Sequence, residues 1–227
     1  MEKNQYELCL EVLRRLSRSG VLKDIILVGS WCLPFYRDYF STTRYSPMIR
    51  TRDVDFLVLS PSSIHARVNI PELLKDIGFI MRHRGSKGYI RLEHPDLMVE
   101  FFSPEKGPGT DNPIDIPKLG VNAQALRYLN FLATNIIIVD VEDFSLYLPH
   151  PVYFALHKLI IFQRRSKKDK ADKDREAAVM LLRALIRKGE NALVKSVFDS
   201  TLPSWRKSIL KGLQNVEDKD IVKVLIK

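Results

Sequence analysis

Several things are scarce in this sequence, and each scarcity excludes a class. Only two cysteines, Cys9 and Cys32, occur in 227 residues. Both fall in stretches of helical pattern, so a disulfide-stapled fold is not expected and a reducing, cytoplasmic setting is. No apolar run approaches the roughly 20 residues that span a bilayer, so no membrane association is expected. The N-terminal MEKNQYELCLEVLRRLSRSG interrupts its apolar positions with Glu and Arg and reads as an amphipathic helix, not a signal peptide. Neither G-x-G-x-x-G nor G-x-x-x-x-G-K-[ST] is found, which removes the two common glycine-rich phosphate cradles. No internal repeat or low-complexity tract is evident. The first 150 residues lack even a net charge, with 18 Lys/Arg against 18 Asp/Glu. Residues 151–227 hold 18 against 9, so the whole excess of +9 sits in the C-terminal third. That imbalance points to a polyanionic or phosphate-bearing partner, or else to helices with a basic solvent side.

What is present is an ordinary globular composition, long enough for one large domain or two small ones. Up to residue 149 short strand-like runs mix with helical ones. DIILVG, DVDFLVLS, FIMRHR, YIRLEH, LMVEFFS, NIIIVD and FSLYLP are expected as strands, with RGSKG as a hairpin turn. PELLKDIG is expected as a short helix opened by Pro71, and EKGPGTDNPIDIPKLG as a loop or lid. From Pro151 the pattern becomes helical throughout. PVYFALHKLIIFQRR, KDKADKDREAAVMLLRALIRKG and three shorter segments follow, the second stopping at Gly189. The expected fold class is α+β, a mixed sheet with flanking helices over 1–149, then an all-helical domain over 150–227.

The chemistry gathers around three acids. On a strand Asp53 and Asp55 point to one face and Val54 and Phe56 to the other, the carboxylate-bearing residues about 6.5–7 Å apart. Two carboxylates so close repel unless a cation sits between them, and Mg²⁺ takes such oxygen ligands. An edge strand with two solvated acids is the alternative. Upstream, an apolar strand ends in Gly29-Ser30 and turns into WCLPFYRDYF. A helix start there would offer free N–H groups to a phosphate, with Gly29 admitting the ligand and Ser30 capping the helix and donating to an oxygen. A plain strand-to-helix turn with a serine cap reads equally from the same residues. Glu100 lies within the apolar LMVEFFS, where an unpaired carboxylate is costly, so it serves either as metal ligand or base beside Asp53 and Asp55, or as the partner of an arginine such as Arg91 or Arg82.

Gly29-Ser30, Asp53-x-Asp55 and Glu100, in that order, resemble the DNA polymerase β-type nucleotidyltransferase superfamily. PVYFALHKLIIFQRRSKKDKADKDREAAVMLL adds a run similar to His-Lys-Leu … Arg-Arg … Lys-x-x-Lys-Asp in a bacterial branch related to AbiE-type abortive-infection toxins. The resemblance implies a polymerase β-like sheet fold and transfer of a nucleoside monophosphate from an NTP to an acceptor hydroxyl, with release of pyrophosphate. It implies two Mg²⁺ ions, or Mn²⁺ in their place, on Asp53, Asp55 and Glu100. Gly29 and Ser30 would hold the triphosphate, Lys158 would reach the phosphates or base, and Asp174 and Lys170 would fix Lys158 or line the same site. By residue chemistry alone Lys158 is a snorkelling or paired helix lysine, and His157 is structural. The stretch between Ser30 and Asp53 is longer than in compact relatives and carries Arg37, Arg44, Arg50 and Arg52, the last placed to meet a phosphate. A tRNA end, a protein hydroxyl and a small molecule such as an aminoglycoside are all open as acceptors; the basic helical third tilts the expectation modestly toward a nucleic acid, although the triphosphate would use the same charge. The competing readings are an inactive nucleotide- or nucleic-acid-binding module of the same fold, of the kind a toxin–antitoxin pair would use, and a nucleic-acid binder acting through its basic helices alone.

Overall fold

The computed structural model describes residues 3–47, 51–107, 112–214 and 219–226. The chain divides into two units, Met1–Phe35 with Met48–Pro149, and Tyr36–Pro47 with His150–Lys227. The first contains α1 (Lys3–Arg18), β1 (Ile26–Val28), a 3-10 turn (Gly29–Trp31), α2 (Cys32–Phe35), β2 (Asp53–Leu57), α3 (Ile70–Lys75), β3 (Ile80–Arg84), β4 (Tyr89–Glu93), β5 (Met98–Pro104), β6 (Ile114–Ile116), β7 (Val121–Leu126), α4 (Leu129–Leu132), β8 (Ile136–Val141) and β9 (Phe144–Pro149).

The main sheet runs β1-β2-β5-β4-β3, and β7 pairs with both β5 and β6. β2 and β7 lie parallel to β5, and the other pairings are antiparallel. β5 serves three neighbours because β4 meets its first residues and β7 its last, while β2 runs along Met98–Phe102. The alternation in DVDFL explains how β2 survives in the interior: Val54 and Phe56 are fully buried with Val99, Phe101 and Leu92, and Phe56 stacks on Phe101 at 5.7 Å. The buried face of α1, with Cys9, Val12, Leu13 and Leu16, follows helical spacing. At one end of α1, Gln5 donates to the carbonyls of Thr51 and Asp96, tying the helix to the entrances of β2 and β5. Further along, Arg14 forks onto Glu142 in the β8–β9 turn.

The run 105–120, expected as a loop, contains β6 and a 3-10 turn at Pro117–Leu119, with 108–111 outside the described residues. VNAQAL, not among the expected strands although it alternates apolar and polar residues, is β7. Its buried polar residue is satisfied in a way that periodicity does not show. Asn122 accepts from the Ile90 amide at 2.8 Å and donates to the Gly88 carbonyl at 3.1 Å, so a buried side chain finishes the hydrogen bonding of the β3–β4 hairpin.

The second unit is helical: α5 (Pro151–Ile161), α6 (Lys168–Arg187), α7 (Asn191–Ser200), α8 (Pro203–Leu213) and α9 (Lys219–Ile226). Pro151 opens α5, and the His150 ring accepts from the Val152 amide as its cap. Val152 and Phe154 through Ile160 are all buried, which makes α5 the centre of the unit. α8 approaches α5 closely at Gly212, where a Cβ would lie 2.8 Å from the Phe162 ring. The segment 36–47 packs by its aromatic residues, with Tyr36 edge-on to Phe154 and the Tyr39 hydroxyl between His150 and the Glu190 carboxylate. Among the described residues, no helix is long and apolar enough to cross a membrane.

Candidate active site

β2 carries Asp53 and Asp55 on the face opposite Val54 and Phe56, and both acids are half-buried. β2 is an interior strand, between β1 and β5, so the edge-strand reading of these acids does not apply. Glu100 is the register partner of Asp55 across the parallel β2–β5 pair, a strand spacing of about 4.8 Å away, and shares its face. Pairing therefore brings the three sequence-predicted acids onto one patch of sheet.

The turn after β1 closes on the same patch. Gly29 has φ +73°, and a Cβ there would sit 2.2 Å from Asp55 Oδ2. Glycine is required twice over, by the left-handed backbone and by the approach of the carboxylate. The helix expected to start at Ser30 is instead the 3-10 turn Gly29–Trp31 running into the four-residue α2. Its cap position is Val28, which makes no side-chain cap bond, so Ser30 does not cap a helix. The left-handed step at Gly29 turns the chain one residue early and leaves Ser30 inside the turn.

Glu100 is held from its other side. Arg91 on β4 reaches Oε1 through Nε at 2.7 Å and through Nη2 at 2.5 Å, with side chains only 13% and 21% exposed. The arginine partner weighed as an alternative for Glu100 is thus present, and it is Arg91. Both contacts fall on Oε1, and no hydrogen bond to Oε2 is made among the described residues. Among the described residues, no group of three His, Cys, Asp or Glu side chains is gathered as a metal ion would hold it. The donor set still suits Mg²⁺: carboxylate oxygens on one face, beside a turn stripped of its side chain.

Arg52 donates to the His94 carbonyl at 2.9 Å, just before the first acid. Arg50 lies outside the described residues. In the helical unit Lys158 and Asp174 meet each other, Nζ to Oδ1 at 2.5 Å, and Arg165 takes the second oxygen at 2.7 Å. Lys158 and Asp174 are only 6% and 5% exposed, so this is a buried pair with a half-exposed third member. Burial alone would raise the Asp174 carboxyl, but the charges and hydrogen bonds of Lys158 and Arg165 outweigh it and hold the group below its ordinary range. His157 beside them is buried neutral, pushed down to about 3 by burial and then by Lys158, and its Nε2 has no hydrogen-bond partner among the described residues. Arg165 is the member not singled out from the sequence; its place as the second residue of the Arg164-Arg165 pair was the available signal. Lys170 lies exposed near the start of α6.

Comparison with known proteins follows the same line. A family model described as nucleotidyltransferase matches residues 7–202. No curated protein matches the chain. Among solved structures, an antigenic nucleotidyltransferase-like protein from Paracoccidioides brasiliensis is similar in fold, at 16% identity over 96% of this chain and 92% of that one, with a TM-score of 0.56. The antibiotic-resistance factor ANT(2'')-Ia aligns over 93% of this chain and 97% of its own at 12% identity, with a TM-score of 0.48. The family match takes in the Gly29 turn, all three acids and the Lys158–Asp174 pair, and on its extent the chain belongs to the nucleotidyltransferase family.

Proposed function

We propose that this protein transfers a nucleoside monophosphate from an NTP to an acceptor hydroxyl and releases pyrophosphate. The observation that carries the reading is the Gly29 turn pressed against Asp55, with Asp55 in register with Glu100. A phosphate-accepting turn and paired acids are what phosphoryl transfer needs, since it depends on positioning and on charge placed around the phosphorus. The backbone at Gly29 and the Ser30 hydroxyl bind the triphosphate. Asp53 and Asp55 hold Mg²⁺, or Mn²⁺, with Glu100 as the third acid; the bound ions supply Lewis-acid stabilisation of the charge on the transferring group. Glu100 takes the acceptor's proton at Oε2 while Arg91 pins Oε1, so the base keeps one orientation as it works. Arg52, Lys158 and Asp174 serve the nucleotide, Asp174 by supplying the counter-charge of the buried ammonium.

The Arg91–Glu100 pair also favours a second reading, a module that binds nucleotide without catalysis, because it engages the third acid. The narrower kinship with AbiE-type toxins rests on the run from His157 to Asp174 and belongs with either reading. Titration calorimetry with each NTP, with and without Mg²⁺, followed by transfer of labelled nucleotide, separates them. Mg²⁺-dependent binding and transfer, both lost in Asp53→Asn/Asp55→Asn with the fold intact, supports the enzyme. Binding without transfer to any acceptor supports the module, and full activity in the double variant overturns the acid assignment.

A further inference from the structure

Pairing extends the acid patch into a row across the sheet. Asp55 on β2 is opposite Glu100 on β5, Glu100 is bound by Arg91 on β4, and Arg91 is opposite Arg82 on β3. Register partners share a face, so Arg82, and two residues on Arg84, stand on the same face as the acids. Arg84 is opposite Tyr89, which adds an aromatic ring to the strip. β3 is the last strand of the sheet and is exposed along all five residues. Glu100 answers the charge of Arg91. Neither Arg82 nor Arg84 meets a carboxylate or other hydrogen-bond partner among the described residues. Like charges directly opposite on a sheet repel, and Glu100 offsets only Arg91, so the charge of Arg82 is left without a counter-ion among the described residues.

The order of the strands says which anion. If the acids act as proposed above, on which this inference rests, the triphosphate lies at the Gly29–Ser30 turn, on the β1 side of Asp55. The acceptor oxygen forms its bond to the α-phosphorus as the bond to the bridging oxygen breaks, the two roughly in line. Pyrophosphate leaves toward the turn, and the acceptor's proton passes to Glu100. The acceptor therefore enters from the other side of the acids, over β4 and β3. Arg82 is about 14 Å from Asp55 across three strand spacings, on the side away from that turn. We propose that Arg82, Arg84 and Tyr89 form the docking strip for the acceptor, and that the acceptor is a single-stranded nucleic acid, its phosphates on the guanidiniums and a base against the ring. A basic track along the backbone combined with an aromatic side chain for stacking is the usual means of holding such a chain, and here the ring of Tyr89 lies across from Arg84; the same strip repels a polycationic acceptor.

The test uses the full chain and a short fluorescein-labelled single-stranded RNA, with binding followed by anisotropy as salt is raised. Arg82→Glu/Arg84→Glu should weaken RNA binding about tenfold or more, and flatten the dependence of log K on log salt by about 1.4, two phosphate contacts' worth for a single strand. Its NTP titration should match the wild type, which separates an acceptor strip from a triphosphate site. Both arginines are exposed, and Arg82→Glu exchanges a like-charge pair with Arg91 for an opposite-charge one, so the melting temperature should hold or rise slightly. Absence of RNA binding by the wild type overturns the proposal, as does equal affinity in the variant, or a loss found only in Lys167→Glu/Lys168→Glu at the start of α6. Asp53→Asn/Asp55→Asn should bind RNA normally and transfer nothing. Transfer retained in that variant would sink the proposed activity while leaving the strip standing.

Discussion

Replacing Gly29 with alanine tests the acid patch at its tightest point. Alanine at φ +73° carries the left-handed penalty of about 1–2 kcal/mol. Its Cβ would also lie 2.2 Å from Asp55 Oδ2 and 3.0 Å from Cγ, about 1 Å inside the closest ordinary carbon–oxygen contact. Relief requires the Asp55 carboxylate to swing or β2 to shift, and such overpacking costs roughly 1–3 kcal/mol more. Gly85 is the matched control: it has φ +65° and nothing within 4 Å of where a Cβ would stand, so Gly85→Ala should lose only the backbone part. The gap between the two variants in urea denaturation measures the clash. Gly29→Ala/Asp55→Ala should recover most of that gap, because the two nearest clashing atoms are gone. Transfer should fall by on the order of a hundredfold in Gly29→Ala, since a displacement of about 1 Å at the reacting centre has that effect. Equal stability losses at Gly29 and Gly85, with the transfer rate of the wild type, would refute the reasoning.

Removing Arg91 leaves Glu100 half-buried with its Oε1 unanswered, so Arg91→Ala should lose about 1–3 kcal/mol in urea denaturation, and Arg91→Ala/Glu100→Gln should lose less than the single variant. His157 ordinarily titrates near 6.5 but is held at about 3 in the fold, with Lys158, Asp174 and Arg165 the charges around it. Between those values the unfolded chain binds a proton that the folded one refuses, so stability rises with pH across the window and falls on acidification by up to about 1.4 kcal/mol per pH unit. His157→Leu should flatten that slope in denaturant melts, and at neutral pH it should be neutral or stabilising because it removes the unpartnered Nε2.

Much of the fold could be read from local pattern. The strands at 26–28, 53–57, 80–84, 89–93 and 98–104 carry alternation or β-rich composition bounded by turn residues, and α5 and α6 carry helical spacing, a proline start and a glycine stop. What escaped depended on partners distant in sequence. VNAQAL alternates apolar and polar residues but is built on alanine, a weak strand former, and the partners that satisfy its buried Asn122, the backbone of Gly88 and Ile90, are more than thirty positions away. The stretch after Phe35 reads as a continuing helix, yet Tyr36 and Tyr39 are held by Phe154, His150 and Glu190. No window of the sequence contains both members of those pairs.

The site divides along the same physical line. That Asp53 and Asp55 share a face follows from the period of a strand, and that Gly29 matters follows from its place between a strand and a turn. Alternation cannot say which face of which strand lies next to them. That depends on β2 pairing in parallel with β5 at a register that sets Asp55 against Glu100, and on β4 bringing Arg91 to the far side. One residue of slip in β5 would have turned Glu100 to the core and brought an apolar neighbour, Val99 or Phe101, beside Asp55. The phenylalanines guard against that slip. Phe56 and Phe101 are both buried and stacked, and moving either to the acid face would expose one ring and break the stack. The hydrophobic half of DVDFL and of MVEFF therefore positions the acids on their other side, and core packing and site geometry are one constraint.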